Sequence, residues 1–375
     1  MINEVNAILV GFGHLAQTRT IIPVLKNHKT TLNIVGVSDL KDNDYDEFVV
    51  PAFASIGLSP PIHFKSLRNA IDESTIMSKL SAIIITTPSN LHFEQALLAL
   101  QNNLDVFVDK PVVTSSKDLM MLLNVADQNK VLFCTGVQRR LEGGFRYLHK
   151  VSIQKIDFAQ LRQIHCRLLV GQKLSDWRVH KTLAGGGILM DSGFHLLDIA
   201  AWILKDIYGD LKFPDIIKGS IRLVKDTPHG LLKNLEVETE AYGYIELEHG
   251  ILLTINFTYN QPIGVIYEEI ELVDSEFTRL RLRRQKNARE LSPTMVTHQK
   301  ADGEFASVDI SYGNQMKMDS VRFTNEAVPE EPLIRFIRRI EQDDLRPIHS
   351  IKDIEAKNSL LTLRLIEAIY AASCY

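Results

Sequence analysis

The chain has 375 residues, 45% of them hydrophobic and 23% charged, with a formal net charge of -4. That length accommodates two domains and a substantial core, and the slightly acidic balance gives no electrostatic footprint for nucleic acid. No apolar run reaches the length of a membrane span and the opening MINEVNAILVGFG lacks the regions of a signal peptide, while Cys134, Cys166 and Cys374 are too scattered for a disulfide framework or a zinc site. A cytoplasmic protein is expected, with no nucleic-acid partner, no membrane partner and no metal.

Val5 to Val10 is a short apolar run that ends in Gly11-Phe12-Gly13-His14-Leu15-Ala16 and leads into a helix expected to reach about Asn27. Strand, glycine turn and helix in that order form a dinucleotide-binding signature. Gly11 permits the tight turn, Gly13 lets the backbone approach a pyrophosphate, and Ala16 allows the helix to pack closely on the strand. Amides at the start of the helix then face the phosphates. Leu32 to Ser38 reads as the second strand and ends at Asp39, placed to hold an adenosine ribose hydroxyl rather than to be an ordinary loop carboxylate. No arginine follows immediately to take a 2'-phosphate, although Lys41 is near. NAD is therefore expected over NADP.

The alternation continues. Leu80 to Thr86 is a near-continuous apolar strand suited to a parallel sheet, and Thr87-Pro88 reads as the cap and first residue of a helix that carries Asn90 and His92 to about Gln101. Leu104 to Val108 is a further strand ending at Asp109-Lys110-Pro111, followed by a helix over Ser115 to Asn129 and a strand over Val131 to Thr135. Strands separated by helices imply right-handed crossovers and a doubly wound sheet of Rossmann type, whose ligands bind at the carboxyl ends of the strands. Gly11, Asp39, Thr87 and Lys110 all lie at such ends. Cofactor contacts are expected from the whole turn Gly11 to Ala16, from Asp39, and from Thr87, Pro88, Asn90, His92, Asp109 and Lys110.

After Thr135 the pattern changes. Residues 136–150, GVQRRLEGGFRYLHK, are basic and aromatic and read as a hinge, which places the dinucleotide-binding domain at 1–136 and an α+β domain at 137–375. Ile164, Cys166, Leu168 and Val170 have the period of two of a half-buried strand. Val237 to Glu248 and Ile251 to Tyr259 predict a hairpin across His249-Gly250, and Val265 to Val273 with Phe277 to Arg283 predict another. Glu238, Glu240, Glu246, Glu248, Arg279, Arg281 and Arg283 fall at outward positions, and Arg279 to Arg284 with Lys286 read as the solvated face of a strand. The second domain is thus expected to be a large, mostly antiparallel open sheet with helices on one side. Amphipathic helices over Pro332 to Gln342 and Ile351 to Ser373 close the chain.

The remaining stretch, Ala184 to Asp198 (AGGGILMDSGFHLLD), organises the rest. Three glycines let the chain pass close to something, and a helix-forming run follows. At 3.6 residues per turn Asp191, His195 and Asp198 share one face, while Leu189, Met190, Phe194, Leu196, Leu197 and Ile199 fill the remaining circumference, as in a helix buried nearly all round. The polar face is either a buried Asp-His pair satisfied in the core or a catalytic site. Oxidation of a secondary alcohol removes a hydride and a hydroxyl proton, so His195 suits a base. The ammonium of Lys110 suits the negative charge that develops on the same oxygen. Asp191 either orients the imidazole or binds a neighbouring hydroxyl. Arg139 and Arg178 either reach a substrate carboxylate or phosphate or are surface residues.

GFGHLA, TTPSNLH, DKP, the Trp177-Arg178 pair, GGGILMDSGFHLLD and the closing LIEAIYAAS together resemble the Gfo/Idh/MocA family of oxidoreductases over essentially the whole chain. The resemblance implies a nicotinamide cofactor in the first domain and a sugar, inositol or related polyol as substrate. It matches Lys110, Asp191 and His195 to the family's catalytic lysine, acid and histidine. Substrate contacts are expected from Arg139, Trp177, Arg178, Asp191 and His195. Association through the open sheet face, as a homodimer or homotetramer, is implied as well. Asp109 stands where the family usually has Glu, which alters the support around Lys110. Two other readings differ in what they need. A non-catalytic dinucleotide-binding regulator has no reason to keep Lys110, Asp191 and His195 together, and a reductase of another carbonyl compound, such as a linear tetrapyrrole, does not need the Asp191/His195 pair.

Overall fold

The computed structural model describes residues 4–14, 16–26, 31–38, 41–155, 161–172, 174, 176–209, 218–225, 235–286, 295–299, 305–309, 332–341 and 354–374. Leu15 and Asp39 lie outside them. The chain divides into two compact units, one built from 1–113, 117–137 and 330–358, the other from 114–116, 138–329 and 359–375.

Among the described residues the first unit holds six parallel strands: β1 (Val5–Val10), β2 (Leu32–Ser38), β3 (Ile62–Phe64), β4 (Ala82–Ile85), β5 (Asp105–Val108) and β6 (Phe133–Thr135). Their order is β3-β2-β1-β4-β5-β6, the doubly wound arrangement of a Rossmann fold. All four residues of β4, AIII, are buried, which is why the run reads as continuously apolar instead of alternating. Strand order reverses between β1 and β4, the switch point at which sheets of this order bind their ligands. The three residues of β3 are too few to show a period, and the sequence pattern does not reveal them. Two helix starts differ from expectation. Ala16–Thr20 winds as a wide π-helical turn before the helix Ile21–Lys26. Ser89–Leu91 forms a tight turn before the helix His92–Gln101, so Thr87 does not cap it and its hydroxyl instead donates to Gln95 Oε1 at 2.6 Å.

The helix Pro332–Glu341 also belongs to the first unit, so 137–375 is not one continuous second domain. Its Leu333, Phe336 and Ile337 are fully buried, Phe336 packs on Phe107 with ring centres 5.7 Å apart, and Glu341 accepts the backbone N–H of Thr31 at 2.8 Å.

The second unit is built on a sheet with nine strands among the described residues: β7 (Leu161–Val170), β8 (Gly219–Val224), β9 (Glu240–Glu246), β10 (Leu252–Thr258), β11 (Ile266–Asp274), β12 (Arg279–Lys286), β13 (Met295–Gln299), β14 (Phe305–Asp309) and β15 (Ser373–Cys374), in the order β14-β13-β12-β11-β7-β10-β9-β8-β15. Both expected hairpins, β9–β10 and β11–β12, are present and antiparallel. The central pair β7–β10 and the edge pair β8–β15 are parallel. Ile164, Cys166 and Leu168 of β7, Ile270 and Leu272 of β11 and Leu280 and Leu282 of β12 are buried, and the helices Gly143–Lys155, Phe194–Tyr208 and Ser359–Ala371 pack against this sheet.

Two outward assignments are corrected. Glu238 is buried, because it is spent on the glycine-rich turn described below. Arg284 is not part of a solvated face: it pairs with Glu142 at 2.7 Å and with Glu268. Period two puts it opposite Arg281 and Arg283, and there its guanidinium lies over the Phe145 ring. Arg281 does stay on the open face, where its Nε donates to Glu271 at 2.9 Å. No described helix is long and apolar enough to cross a membrane.

Candidate active site

In the first unit the loops after β1, β4 and β5 converge. Gly11 has φ +79, and a Cβ there would come within 2.8 Å of the Thr87 side chain. Only glycine fits a positive φ at such close quarters. At Gly13, by contrast, a Cβ would meet nothing within 4 Å. The turn is therefore tight on its inner side and open on its outer side, and the open side suits a pyrophosphate. Phe12 and Ala16 are buried, whereas Gly13 and His14 are exposed. Asn90 adds a second mark of a ligand cradle: its Oδ1 is buried without a hydrogen-bond partner, and such an acceptor is expected to find a donor. These residues fit a dinucleotide.

Lys110 follows β5 and is joined to Pro111 by a cis peptide bond. Its backbone N–H donates to Asp109 Oδ1 at 2.8 Å, and a Cβ on Gly136 would meet that same oxygen at 2.9 Å. Asp109 thus shapes the backbone under the lysine. His92 is buried to 1% exposure. Its Nδ1 lies 2.9 Å from Pro111 O and its Nε2 2.8 Å from Thr87 O. Both ring nitrogens are engaged with backbone, so His92 has none left to contact a cofactor. Burial pulls its pKa below the usual histidine value, against the opposing pull of the two carbonyls and Asp109.

In the second unit the three glycines are required by what they pass. Gly185 has φ +77 and abuts Thr114, a Cβ on Gly186 would meet the Tyr370 hydroxyl at 2.1 Å, and one on Gly187 would sit 1.8 Å from the backbone oxygen of Glu238. The Glu238 carboxylate accepts from Gly187 N–H at 2.9 Å, Leu189 N–H at 3.2 Å and the Tyr370 hydroxyl at 2.8 Å. Its backbone oxygen accepts from Ile188 N–H at 2.9 Å. Held this way, residues 188–193 wind as turns, and the helix begins only at Phe194. Asp191 therefore lies in the turn, not on the helix face with His195.

Around Asp191 the chain assembles a polar cluster. Its Oδ2 accepts from the Tyr259 hydroxyl at 3.1 Å and from Gln172 Nε2 at 3.4 Å, and Arg178 Nε lies 3.6 Å away. Ser192 Oγ is 3.1 Å from the same Tyr259 oxygen. Gln172 and Tyr259 arrive together because each follows the carboxyl end of one strand of the parallel β7–β10 pair. Burial and the Asp191 charge push the Tyr259 phenol well above its usual pKa, so it stays a donor. Arg178 stacks over the Trp177 ring at 4.7 Å. Asp191 and Arg178 keep 24% and 31% of their side-chain surface exposed, and His195 is half-buried. Tyr259, Gln172 and Ser192 were not among the expected site residues; the only trace Tyr259 leaves in sequence is its place at the end of a predicted strand.

Two expected members stand elsewhere. Asp198 is 1% exposed; it takes both Arg140 Nε and Nη2 at 2.7 Å and the Thr362 hydroxyl at 2.9 Å. It is a core ion pair. Arg139 is held by Glu142 and, at 2.9 Å, by Glu268, so its charge is matched inside the fold rather than offered to a substrate. Among the described residues no group of three or more His, Cys, Asp or Glu side chains is arranged to hold a metal ion.

Comparison with known proteins gives the family and the fold. Residues 5–137 match the model of the GFO/IDH/MocA oxidoreductase family, NAD-binding Rossmann fold, and residues 150–276 match the GFO/IDH/MocA C-terminal domain. A scyllo-inositol 2-dehydrogenase (NADP(+)) of Bacillus subtilis is 24% identical over 223 residues, covering 58% of this chain and 57% of that protein. A putative UDP-kanosamine synthase oxidoreductase subunit of Amycolatopsis mediterranei is 29% identical over 201 residues, 50% of this chain and 54% of that protein. The chain thus spans about half the length of the curated relatives it matches. The crystal structure of the WlbA dehydrogenase from Bordetella pertussis, in complex with NADH and UDP-GlcNAcA, superposes with a TM-score of 0.67 at 18% identity over 98% of this chain and 96% of that one. At that identity the likeness is one of fold.

Proposed function

The chain belongs to the Gfo/Idh/MocA oxidoreductase family, and from that premise we propose that it transfers a hydride between a nicotinamide cofactor and a secondary alcohol or ketone of a sugar, inositol or related polyol. One observation carries the reading: a carboxylate, a phenol, a primary amide, a hydroxyl and a guanidinium gather at Asp191. Such a set of donors and acceptors addresses several hydroxyls of one molecule. The charges of Asp191 and Arg178 offset each other, which favours a neutral polyol over an anion.

The bound nicotinamide supplies the hydride acceptor or donor. Gly11 to Ala16, Thr87, Asn90 and Lys110 would hold the dinucleotide, with the glycine turn at its pyrophosphate, and Asp39 selects NAD by accepting from a ribose diol and repelling a 2'-phosphate. His195 takes the hydroxyl proton. Lys110 offers its ammonium to the oxygen on which charge develops, where a fixed cation is worth more than in bulk water. Asp191 binds the neighbouring hydroxyl, held in place by Tyr259. The protein assembles as a dimer or tetramer through the open sheet face, and works in the cytoplasm, where the buried free thiols of Cys134 and Cys166 stay reduced. A panel of neutral polyols, sugars and nucleotide sugars, followed by nicotinamide absorbance, tests the reading; turnover confined to anionic substrates would overturn the assignment of substrate class.

A further inference from the structure

His92 lies at the junction of three cofactor loops without contacting solvent. It opens the helix His92–Gln101, and its ring spans from Thr87 O, beyond β4, to Pro111 O, beyond β5, at 2.8 and 2.9 Å. Thr87 in turn fills the space beside Gly11, beyond β1, and Pro111 is bonded directly to Lys110. The imidazole thus joins the Thr87 and Lys110 loops above the last backbone bond between their strands, from Asp109 N–H to Ile85 O at 3.0 Å. A neutral ring donates to one of the two carbonyls and a protonated ring to both, while Asp109 is the charged group that acts on it.

In the doubly wound order the acid after β2 marks the adenosine side of the crevice, so the nicotinamide half lies across the switch point, over β4 and β5. Those are the two loops His92 joins. We propose that His92 is a positioning residue for the nicotinamide half of the cofactor, acting through the Thr87 and Lys110 backbone and leaving the adenosine half untouched. This rests on the dinucleotide-binding assignment of the first unit and not on any substrate.

The experiment compares NADH and ADP-ribose binding to the full chain, by fluorescence titration and calorimetry, in wild type, His92→Gln and His92→Phe. The expected result for His92→Phe is an NADH Kd raised about tenfold, the scale of one lost hydrogen-bonded link, with ADP-ribose Kd within about twofold of wild type. His92→Gln, whose amide still donates to one carbonyl, is expected to recover part of the NADH affinity and serves if the Phe variant does not fold. Equal weakening of both ligands would mean a general loosening of the fold and would overturn the proposal. So would unchanged NADH binding in both variants. Failure of wild type to bind either ligand would instead refute the cofactor assignment itself.

Discussion

Asp191 owes its setting to residues far away in sequence, Tyr259 being 68 positions on. Tyr259→Phe deletes one donor to a carboxylate and leaves the ring in place, so under the proposed function kcat/KM should fall about tenfold, the equivalent of one charge-assisted hydrogen bond. The melting temperature should change little; a fall in stability with undiminished turnover would remove Tyr259 from the site. Asp198 makes the opposite prediction. Arg140 is 1% exposed, and Asp198→Ala strands its charge in the core, so unfolding free energy should drop by roughly 3 to 5 kcal/mol. A denaturant midpoint within error of wild type would contradict that. His92 carries a pH signature. Its folded pKa is lowered, so the unfolded chain takes up the proton first as pH falls below about 6.5, the ordinary histidine value. The stability it contributes is present above that pH and lost below it. Thermal melts should therefore show a steeper decline below pH 6.5 in wild type than in His92→Gln, and parallel curves would count against a neutral buried ring.

The glycine-rich turn shows what a periodic pattern can and cannot reveal. The spacing of Asp191, His195 and Asp198 is helical, yet Asp191 precedes the helix and Asp198 faces Arg140, because Glu238 grips residues 187–189 and delays the first helical turn. Nothing local announces a carboxylate that arrives from the strand region some 50 residues on. Glycine itself was legible as a need for close approach, and the partners turn out to be Glu238, Tyr370 and Thr114. Gly187→Ala places a methyl 1.8 Å from backbone, which no side-chain rearrangement relieves. Destabilisation above about 3 kcal/mol, among the largest single-site effects, is expected. A soluble variant melting within a few degrees of wild type would show that the turn has slack.

Five parallel strands of the first unit were legible because each is a near-continuous apolar run bounded by glycine, proline or a cap, whereas the three-residue β3 left no pattern, and the two hairpins of the second unit were legible from alternation. The helix Pro332–Glu341 was visible as amphipathic, but an apolar stripe says only that a core is needed, not which one; the structure gives it to the strands carrying Phe107. The same ambiguity attaches to the open face of the second sheet, where Arg281, Glu271, Tyr267 and Glu269 pair among themselves. Under the proposed assembly, light scattering at micromolar concentration should give two or four times the chain mass, and a monomer would contradict it. The central claim is a hydride-transferring polyol oxidoreductase with His195 as base. Its most direct test is the pH dependence of NAD reduction by neutral cyclic polyols and sugars, in wild type and His195→Ala at matched folded concentration. Reduction by at least one of them, with a rate rising through an ionisation that vanishes in the variant, is the predicted result. A variant that turns over at the wild-type rate with the same pH profile would contradict it.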